Sequence, residues 1–118
     1  MAPHKAGFPD LIVVSHEEGR ATQPEPGLTR RVLAYNDKLF LVEHRMEKGW
    51  KGALHSHPHE QMVYVVSGCI QVRGGGITRD LRAGDTFVVR GGVEHGASAY
   101  EDSIVVDVFT PCREDYIL

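Results

Sequence analysis

Apolar residues in this chain occur in short runs, and glycine, proline, asparagine or aspartate separates one run from the next. Several runs alternate apolar with polar side chains and show little helical periodicity, which is typical of half-buried strands. The predicted strands cover residues 11–14, 28–35, 39–46, 61–66, 69–73, 77–81, 86–89 and 104–109. Short strands with frequent turn signals predict an all-β sandwich or barrel.

The connections between these runs carry signals of their own. Pro24 and Pro26 predict that residues 19–27 form a loop, because proline cannot donate to a strand ladder. Residues 74–76 are all glycine and predict a tight hairpin between two strands. Pro111 is expected to end the last strand.

Composition limits the number of domains and the class of partner. With 118 residues, 42% of them hydrophobic, we expect one domain over residues 1–118, with a core at about 28–110 and an N-terminal strand arm at 8–20. The formal charge of −3 and the lack of a basic run argue against a nucleic-acid partner. No apolar stretch approaches the roughly 20 residues that span a bilayer, so we expect no membrane partner. The N-terminus lacks the apolar region of a signal peptide, which predicts a cytoplasmic protein with Cys69 and Cys112 as thiols.

Histidines concentrate in residues 55–61, which read His-Ser-His-Pro-His-Glu-Gln. A strand directs alternate side chains to one face, so His55, His57 and Gln61 can converge on one point. His95 lies in a second segment punctuated by glycine and can complete the set. Imidazole nitrogens with a side-chain oxygen suit one divalent transition metal, Ni, Zn, Fe, Mn or Cu.

Neighbouring residues leave alternatives open. Gln61 could instead bond backbone groups inside a core. His59 shares the parity of the other histidines, but Pro58 can twist the strand, so we expect His59 behind the ligands or at the rim. Glu60 and Tyr64 have the opposite parity and are expected to face outwards.

These two segments resemble the two conserved motifs of the cupin superfamily. The positions that match are Gly49, His55, His57, Gln61 and Gly68 in the first motif, and Gly84, Gly92 and His95 in the second. The resemblance implies a cupin fold, which is a double-stranded β-helix or jelly-roll barrel. Gln61 stands where the motif usually has glutamate, and Arg90 stands where it usually has proline. Three neutral imidazoles and a neutral amide would leave the metal charge uncompensated and attract a small anionic molecule.

The end of the chain resembles the small cupins of the KdgF type, which take part in uronate-polysaccharide degradation. That resemblance places proposed active residues at Asp107, Phe109 and Arg113. Asp107 also stands out by its surroundings, because an unpaired carboxylate among valines and isoleucines is costly. Asp107 would move protons, Arg113 would hold a substrate carboxylate by two parallel hydrogen bonds, and Phe109 would form barrel wall. Alternatively, Asp107 is a rim residue or bonds a backbone amide, and Arg113 is a surface residue that pairs with Glu114 or Asp115.

Three functions remain open from the sequence. The preferred one is a metal-dependent enzyme that opens the ring of an unsaturated uronate to a linear keto acid. The alternatives are a metal-dependent dioxygenase of a small organic substrate, and a small-molecule-binding or sensor protein without catalysis. We also expect a homodimer, because residues 11–14 could add to the sheet edge of a second copy.

Overall fold

A computed structural model describes residues 7–117 of the chain. This part of the chain contains two single-turn 3-10 helices, His16–Glu18 and Glu114–Tyr116. Its strands are β1 (Arg20–Glu25), β2 (Leu28–Tyr35), β3 (Phe40–Met46), β4 (Glu60–Ser67), β5 (Cys69–Gly74), β6 (Ile77–Arg82), β7 (Thr86–Val89), β8 (His95–Ala99) and β9 (Ser103–Thr110). The prediction of an all-β fold is confirmed.

The strands form two antiparallel sheets. The larger has the order β1-β2-β3-β9-β4-β7, and the smaller has the order β6-β5-β8. Side chains from both sheets meet in one core cluster, as in a jelly-roll barrel. β9 lies in the middle of the larger sheet, where it pairs with β3 on one side and β4 on the other.

The alternation of side-chain direction along β9 determines which of its residues face the barrel interior. Its odd-numbered residues from Ser103 to Phe109 are buried, whereas its even-numbered residues are partly exposed. Val105 belongs to one hydrophobic cluster and Phe109 to a second, which it shares with Phe40 and Val42. Each such fully buried side chain contributes about 1.5–3 kcal/mol of transfer free energy. Asp107 lies between the two clusters along the strand, so a polar region interrupts the apolar core.

Two predictions for the N-terminal region are wrong. Residues 11–14 form no strand, and residues 19–27 contain β1 instead of being only a loop. Residues 11–14 join neither sheet despite their strand propensity, which is a weak guide where no cross-strand packing supports it. β1 tolerates Pro24 because it is an edge strand that is exposed along its whole length, and its register shifts between Thr22 and Glu25.

The remaining strands lie within one or two residues of their predicted bounds. The hairpin between β5 and β6 turns at Gly75 and Gly76, whose φ angles of 56° and 79° suit the type I′ turn that glycine adopts without strain. β8 is not predicted from the sequence, because His-Gly-Ala-Ser-Ala has low strand propensity. β8 forms through its pairing with β5.

No helix among residues 7–117 is long and apolar enough to cross a bilayer. The predicted cytoplasmic location stays a prediction, and residues 1–6 of the N-terminus on which it partly rests lie outside the described residues.

Candidate active site

Three histidine side chains converge, two of them buried (His57 and His95) and one exposed (His55). One ring nitrogen from each of His55, His57 and His95 lies within 4.8 Å of the others, so this group could hold a metal ion. His55 and His95 form an antiparallel bridge, in which each backbone N–H donates to the other carbonyl at 2.9 Å. This bridge fixes the two predicted segments side by side.

Gly91 and Gly92, which precede His95, allow the segment that carries His57 to approach closely. The Gly92 backbone N–H donates to the His57 carbonyl at 2.8 Å. A Cβ at Gly91 would collide with the carbonyl oxygen of Pro58. The turn before β8 therefore packs directly on the histidine segment.

All three imidazoles are held in the same tautomer. The Nδ1 atoms lie 2.9–3.0 Å from the backbone carbonyls of Ala53, His59 and Val93, each two residues from its histidine. A carbonyl only accepts, so each Nδ1 carries the proton and each Nε2 presents a lone pair. Burial lowers the pKa of His57 and of His95, which favours their neutral forms.

Gln61 supplies a fourth donor atom. Its Oε1 lies 3.0 Å from Nε2 of His57 and 3.1 Å from Nε2 of His95. These atoms are all acceptors once the Nδ1 atoms carry the protons, so no hydrogen bond can join them. A cation between them removes this repulsion, and the donor set therefore fits a divalent transition metal.

The amide nitrogen of Gln61 fixes which way its oxygen points. Nε2 of Gln61 donates to Oδ1 of Asp107 at 2.7 Å. A flipped amide would place two oxygens against each other at this position, so the carboxylate of Asp107 directs the Gln61 oxygen towards the histidines. Asp107 is 3% exposed and reaches the centre of the barrel from β9.

His44 is the second donor to Asp107, and it belongs to neither of the two histidine segments. His44 Nδ1 lies 2.6 Å from Asp107 Oδ2, and Arg30 Nε donates to His44 Nε2 at 3.1 Å. A signal was available in the alternation of the strands. His44 shares a face of β3 with Val42 and Met46, as Asp107 does with valine and phenylalanine on β9.

Arg113 is buried beside these groups. It is 7% exposed, and its Nε and Nη2 donate to the carboxylate of Asp115 at 2.9 and 2.7 Å. Burial alone would lower the pKa of Arg113, but the hydrogen bonds to Asp115 and nearby negative charge raise it above its usual value. Its Nη1 is buried without a hydrogen-bond partner, which leaves a charged donor for an anion. Arg113 therefore pairs with Asp115, as the alternative expectation proposed, but it is a buried residue and not a surface residue.

Aromatic rings hold the Arg113 guanidinium in place. Its Cζ lies 4.0 Å from the centroid of the Tyr116 ring and 4.7 Å from that of Phe109. Phe109 is 1% exposed and packs its ring against His57 at a centroid distance of 5.7 Å. Phe109 therefore supports the site as wall, and Tyr116 joins Arg113 at the cavity surface.

A cavity of about 390 Å³ connects these groups, a volume typical of small-molecule sites. Its polar lining includes His55, Gln61, His95, Asp107 and Arg113. Its apolar lining includes Leu28, Met46, Val63, Ile70, Phe87 and Val105.

The other predicted positions lie outside the convergent group. His59 lies behind His57, and its Nδ1 is buried without a partner. Glu60 and Tyr64 are exposed, as expected from their parity. Cys69 is a buried thiol, and Cys112 packs against the hydrophobic cluster that contains Phe109.

The cupin domain family matches residues 42–109, which is more than half of the chain and includes all four candidate ligands. The chain is a cupin. This cupin is 32% identical over 93 residues to the pectin degradation protein KdgF of Dickeya dadantii (strain 3937), which covers 77% of this chain and 84% of that protein.

Solved structures agree with this assignment. An RmlC-like cupin from Shewanella frigidimarina NCIMB 400 is 36% identical with a TM-score of 0.84, over 88% of this cupin and 94% of that chain. KdgF from a Halomonas species is also 36% identical with a TM-score of 0.84, over 89% of this cupin and 99% of that chain. The expected resemblance to cupins of the KdgF type is confirmed.

Proposed function

We propose that this cupin is a metal-dependent enzyme that opens the ring of a 4,5-unsaturated uronate to a linear keto acid. The similarity to KdgF, which is named for pectin degradation, supports a uronate substrate. The Gln61 side chain carries the proposal. Its oxygen points to the histidine nitrogens and its nitrogen to Asp107, so a metal position and a carboxylate base share one cavity.

The proposed metal ligands are His55, His57, Gln61 and His95. These four neutral donors suit a divalent cation such as Ni, Zn, Fe, Mn or Cu. A cation held there would polarise a substrate oxygen and stabilise negative charge that develops on it. Because the ligands are neutral, the cation would also favour an anionic substrate.

Asp107 would transfer the proton that the reaction needs. Its carboxylate takes the proton from the anomeric hydroxyl, and the bond between C1 and the ring oxygen breaks to leave an aldehyde at C1. The electron pair of that bond stays on the ring oxygen and forms an enolate with the C4=C5 double bond. Return of the proton to C4 gives the C5 ketone, so the reaction is an isomerisation with no other reactant.

Arg113 would hold the carboxylate at C6 of the substrate. Its edge formed by Nε and Nη2 is used by Asp115, so Nη1 is the donor that remains for the substrate. The ring of Tyr116 and the pair with Asp115 fix the guanidinium before substrate binds. This prior ordering reduces the entropy cost of binding.

The test is an assay of the purified, metal-loaded protein with a 4,5-unsaturated monouronate. Loss of the ultraviolet absorbance of the conjugated double bond measures ring opening, and NMR identifies the keto acid. The expected result is a rate above that in buffer, abolished by a chelator and restored by metal. No rate above buffer with any divalent metal would overturn the proposal.

Asp107→Asn is the decisive variant. It removes the base and keeps the shape, so turnover is expected to fall about 100-fold or more, the scale of a positioned acid or base. Metal content by mass spectrometry serves as its control and should stay at the native value. Native turnover in Asp107→Asn would exclude this residue as the base, and oxygen uptake with an organic substrate would favour the dioxygenase alternative.

A further inference from the structure

One line of hydrogen bonds crosses four neighbouring strands of the larger sheet. It begins at Arg30 on β2, passes through His44 on β3 and Asp107 on β9, and ends at Gln61 on β4. Arg30 and His44 are directly opposite in the register of β2 and β3. Strand pairing therefore makes these four residues neighbours, and each side chain forms a hydrogen bond with the next.

The two ends of the His44 ring face groups of opposite hydrogen-bonding character. A guanidinium only donates and keeps its charge, so the His44 Nε2 atom that lies 3.1 Å from Arg30 Nε must be the acceptor. The neutral imidazole then carries its proton on Nδ1 and donates it to Asp107 Oδ2 at 2.6 Å. The other tautomer would place a lone pair against the carboxylate and a proton against the guanidinium, so Asp107 and Arg30 select the same tautomer from the two sides of the ring.

Asp107 receives a second bond at its other oxygen. Gln61 Nε2 donates to Oδ1 at 2.7 Å, so the two donors approach the carboxylate from β3 and β4. Both donors are partly or fully shielded from solvent, and Asp107 itself is 3% exposed. The carboxylate plane is thus fixed by His44 on one side and by the proposed metal ligand on the other.

Arg30 is itself held firmly. Its Cζ lies 3.6 Å from the centroid of the Tyr116 ring, on which Arg113 also stacks, and Arg30 lies at the cavity surface. Stacking of this kind restricts the guanidinium and favours arginine over lysine.

We infer that Arg30 and His44 are positioning residues, in which Arg30 and Asp107 together hold His44 in one tautomer and His44 thereby orients the Asp107 carboxylate. The inference rests on the proposed function only in that Asp107 is the base. Arg30 and His44 are not among the proposed metal ligands, and their effect on the reaction is exerted through Asp107.

The first test measures the tautomer without substrate or metal. Nitrogen-15 NMR of the histidine side chains should show His44 as a single tautomer with a slowly exchanging proton on Nδ1. Arg30→Met removes the donor and keeps a similar length, and the nitrogen-15 signal of His44 Nε2 should then move, because that atom loses its hydrogen-bond donor. An unchanged His44 signal in Arg30→Met would overturn the inference. Arg45→Met is the control, since Arg45 lies next to His44 on β3 but is exposed.

The second test is a double-mutant cycle on turnover. Arg30→Met should lower kcat about 10–100-fold, the scale for a group that orients another, with KM little changed. His44→Asn keeps an N–H donor near Nδ1 and has no tautomer to lose, so it should retain most turnover, whereas His44→Leu should not. Adding Arg30→Met to His44→Asn should cost nothing further.

Other outcomes are equally informative. Full additivity of Arg30→Met and His44→Asn, or an effect of Arg30→Met on KM alone, would show that Arg30 acts directly on substrate and would overturn the inference. If Arg30→Met does not fold by circular dichroism, the contrast between His44→Asn and His44→Leu decides. If the native protein has no uronate activity, the proposed function fails, while the NMR measurement still tests Arg30 and His44.

Discussion

Gln61→Glu changes a side chain that contacts His57 and His95 through its oxygen and Asp107 through its nitrogen. In the native protein, Gln61 Nε2 donates to Asp107 Oδ1 at 2.7 Å. The variant introduces the glutamate that the cupin motif usually carries, and it places two carboxylates at this contact. Because both groups only accept when ionised, the hydrogen bond is replaced by repulsion.

The size of the effect follows from the contact distance. At 2.7 Å, two unit charges repel by about 6 kcal/mol with an effective dielectric constant of about 20. Keeping one ordinary carboxyl, with a pKa of about 4, protonated at a pH of about 7 costs roughly 4 kcal/mol. Protonation is the cheaper solution, so the pair shares one proton, and the metal-free variant loses up to about 4 kcal/mol of unfolding free energy.

The unfolding free energy of Gln61→Glu should also depend on pH in a definite direction. The folded variant binds one proton more than the unfolded chain, so its stability falls as the pH rises. At a pH of about 5, the same protonation costs only about 1.4 kcal/mol. The stability difference between the native protein and Gln61→Glu should therefore shrink by more than half between neutral and mildly acidic solution.

Urea unfolding of the metal-free protein at the two pH values measures the difference. Gln71→Glu is the matched control, because Gln71 lies on β5 and bonds Tyr100 away from the cavity. The double variant Gln61→Glu with Asp107→Asn exchanges donor and acceptor, so it should recover stability but not turnover. If Gln61→Glu costs no more than Gln71→Glu at neutral pH, or costs the same at both pH values, the reasoning is refuted.

Three further predictions concern substrate, metal and assembly. Arg113→Ala should raise KM roughly 10–100-fold through loss of a charged hydrogen bond, with a smaller effect on kcat, and unchanged steady-state kinetics would contradict its role. Replacing both His55 and His57 by alanine should abolish stoichiometric metal, and full metal content by mass spectrometry would place the ligands elsewhere. We expect a homodimer, since Leu11 and Val13 are 79% and 78% exposed in an unpaired segment, and a monomer mass by light scattering at micromolar concentration would contradict this.

The sequence predicted most of the barrel, because its strands are encoded locally by alternation and by turn residues. The same alternation predicted that Asp107 and Phe109 face inwards together. The three histidines converge as expected, but His55 and His57 precede β4, so the bridge between His55 and His95 brings the two segments together, and not alternation along one strand. His44 and Arg30 were missed, although both are polar residues at inward positions. Their contact with Asp107 depends on the pairing of β2, β3 and β9, and this register between distant segments is not written in any one of them.

The errors near the N-terminus have the opposite cause. Residues 11–14 have strong strand propensity but pair with no strand, whereas β1 has weak propensity and pairs with β2. Pairing, which is a tertiary property, decided both cases.

The hydrogen bonds from the three histidine rings to backbone carbonyls affect how this site can change during evolution. Each Nδ1 is anchored by a main-chain carbonyl two residues away, and a carbonyl is present whatever side chain that residue carries. Point substitutions of the residues that supply these carbonyls therefore leave the three histidine tautomers intact. The line from Arg30 to Gln61 consists only of side chains, and each of its bonds is open to replacement. Evolution can thus rewrite the chemistry of this barrel while the tautomers of its three histidines are inherited unchanged.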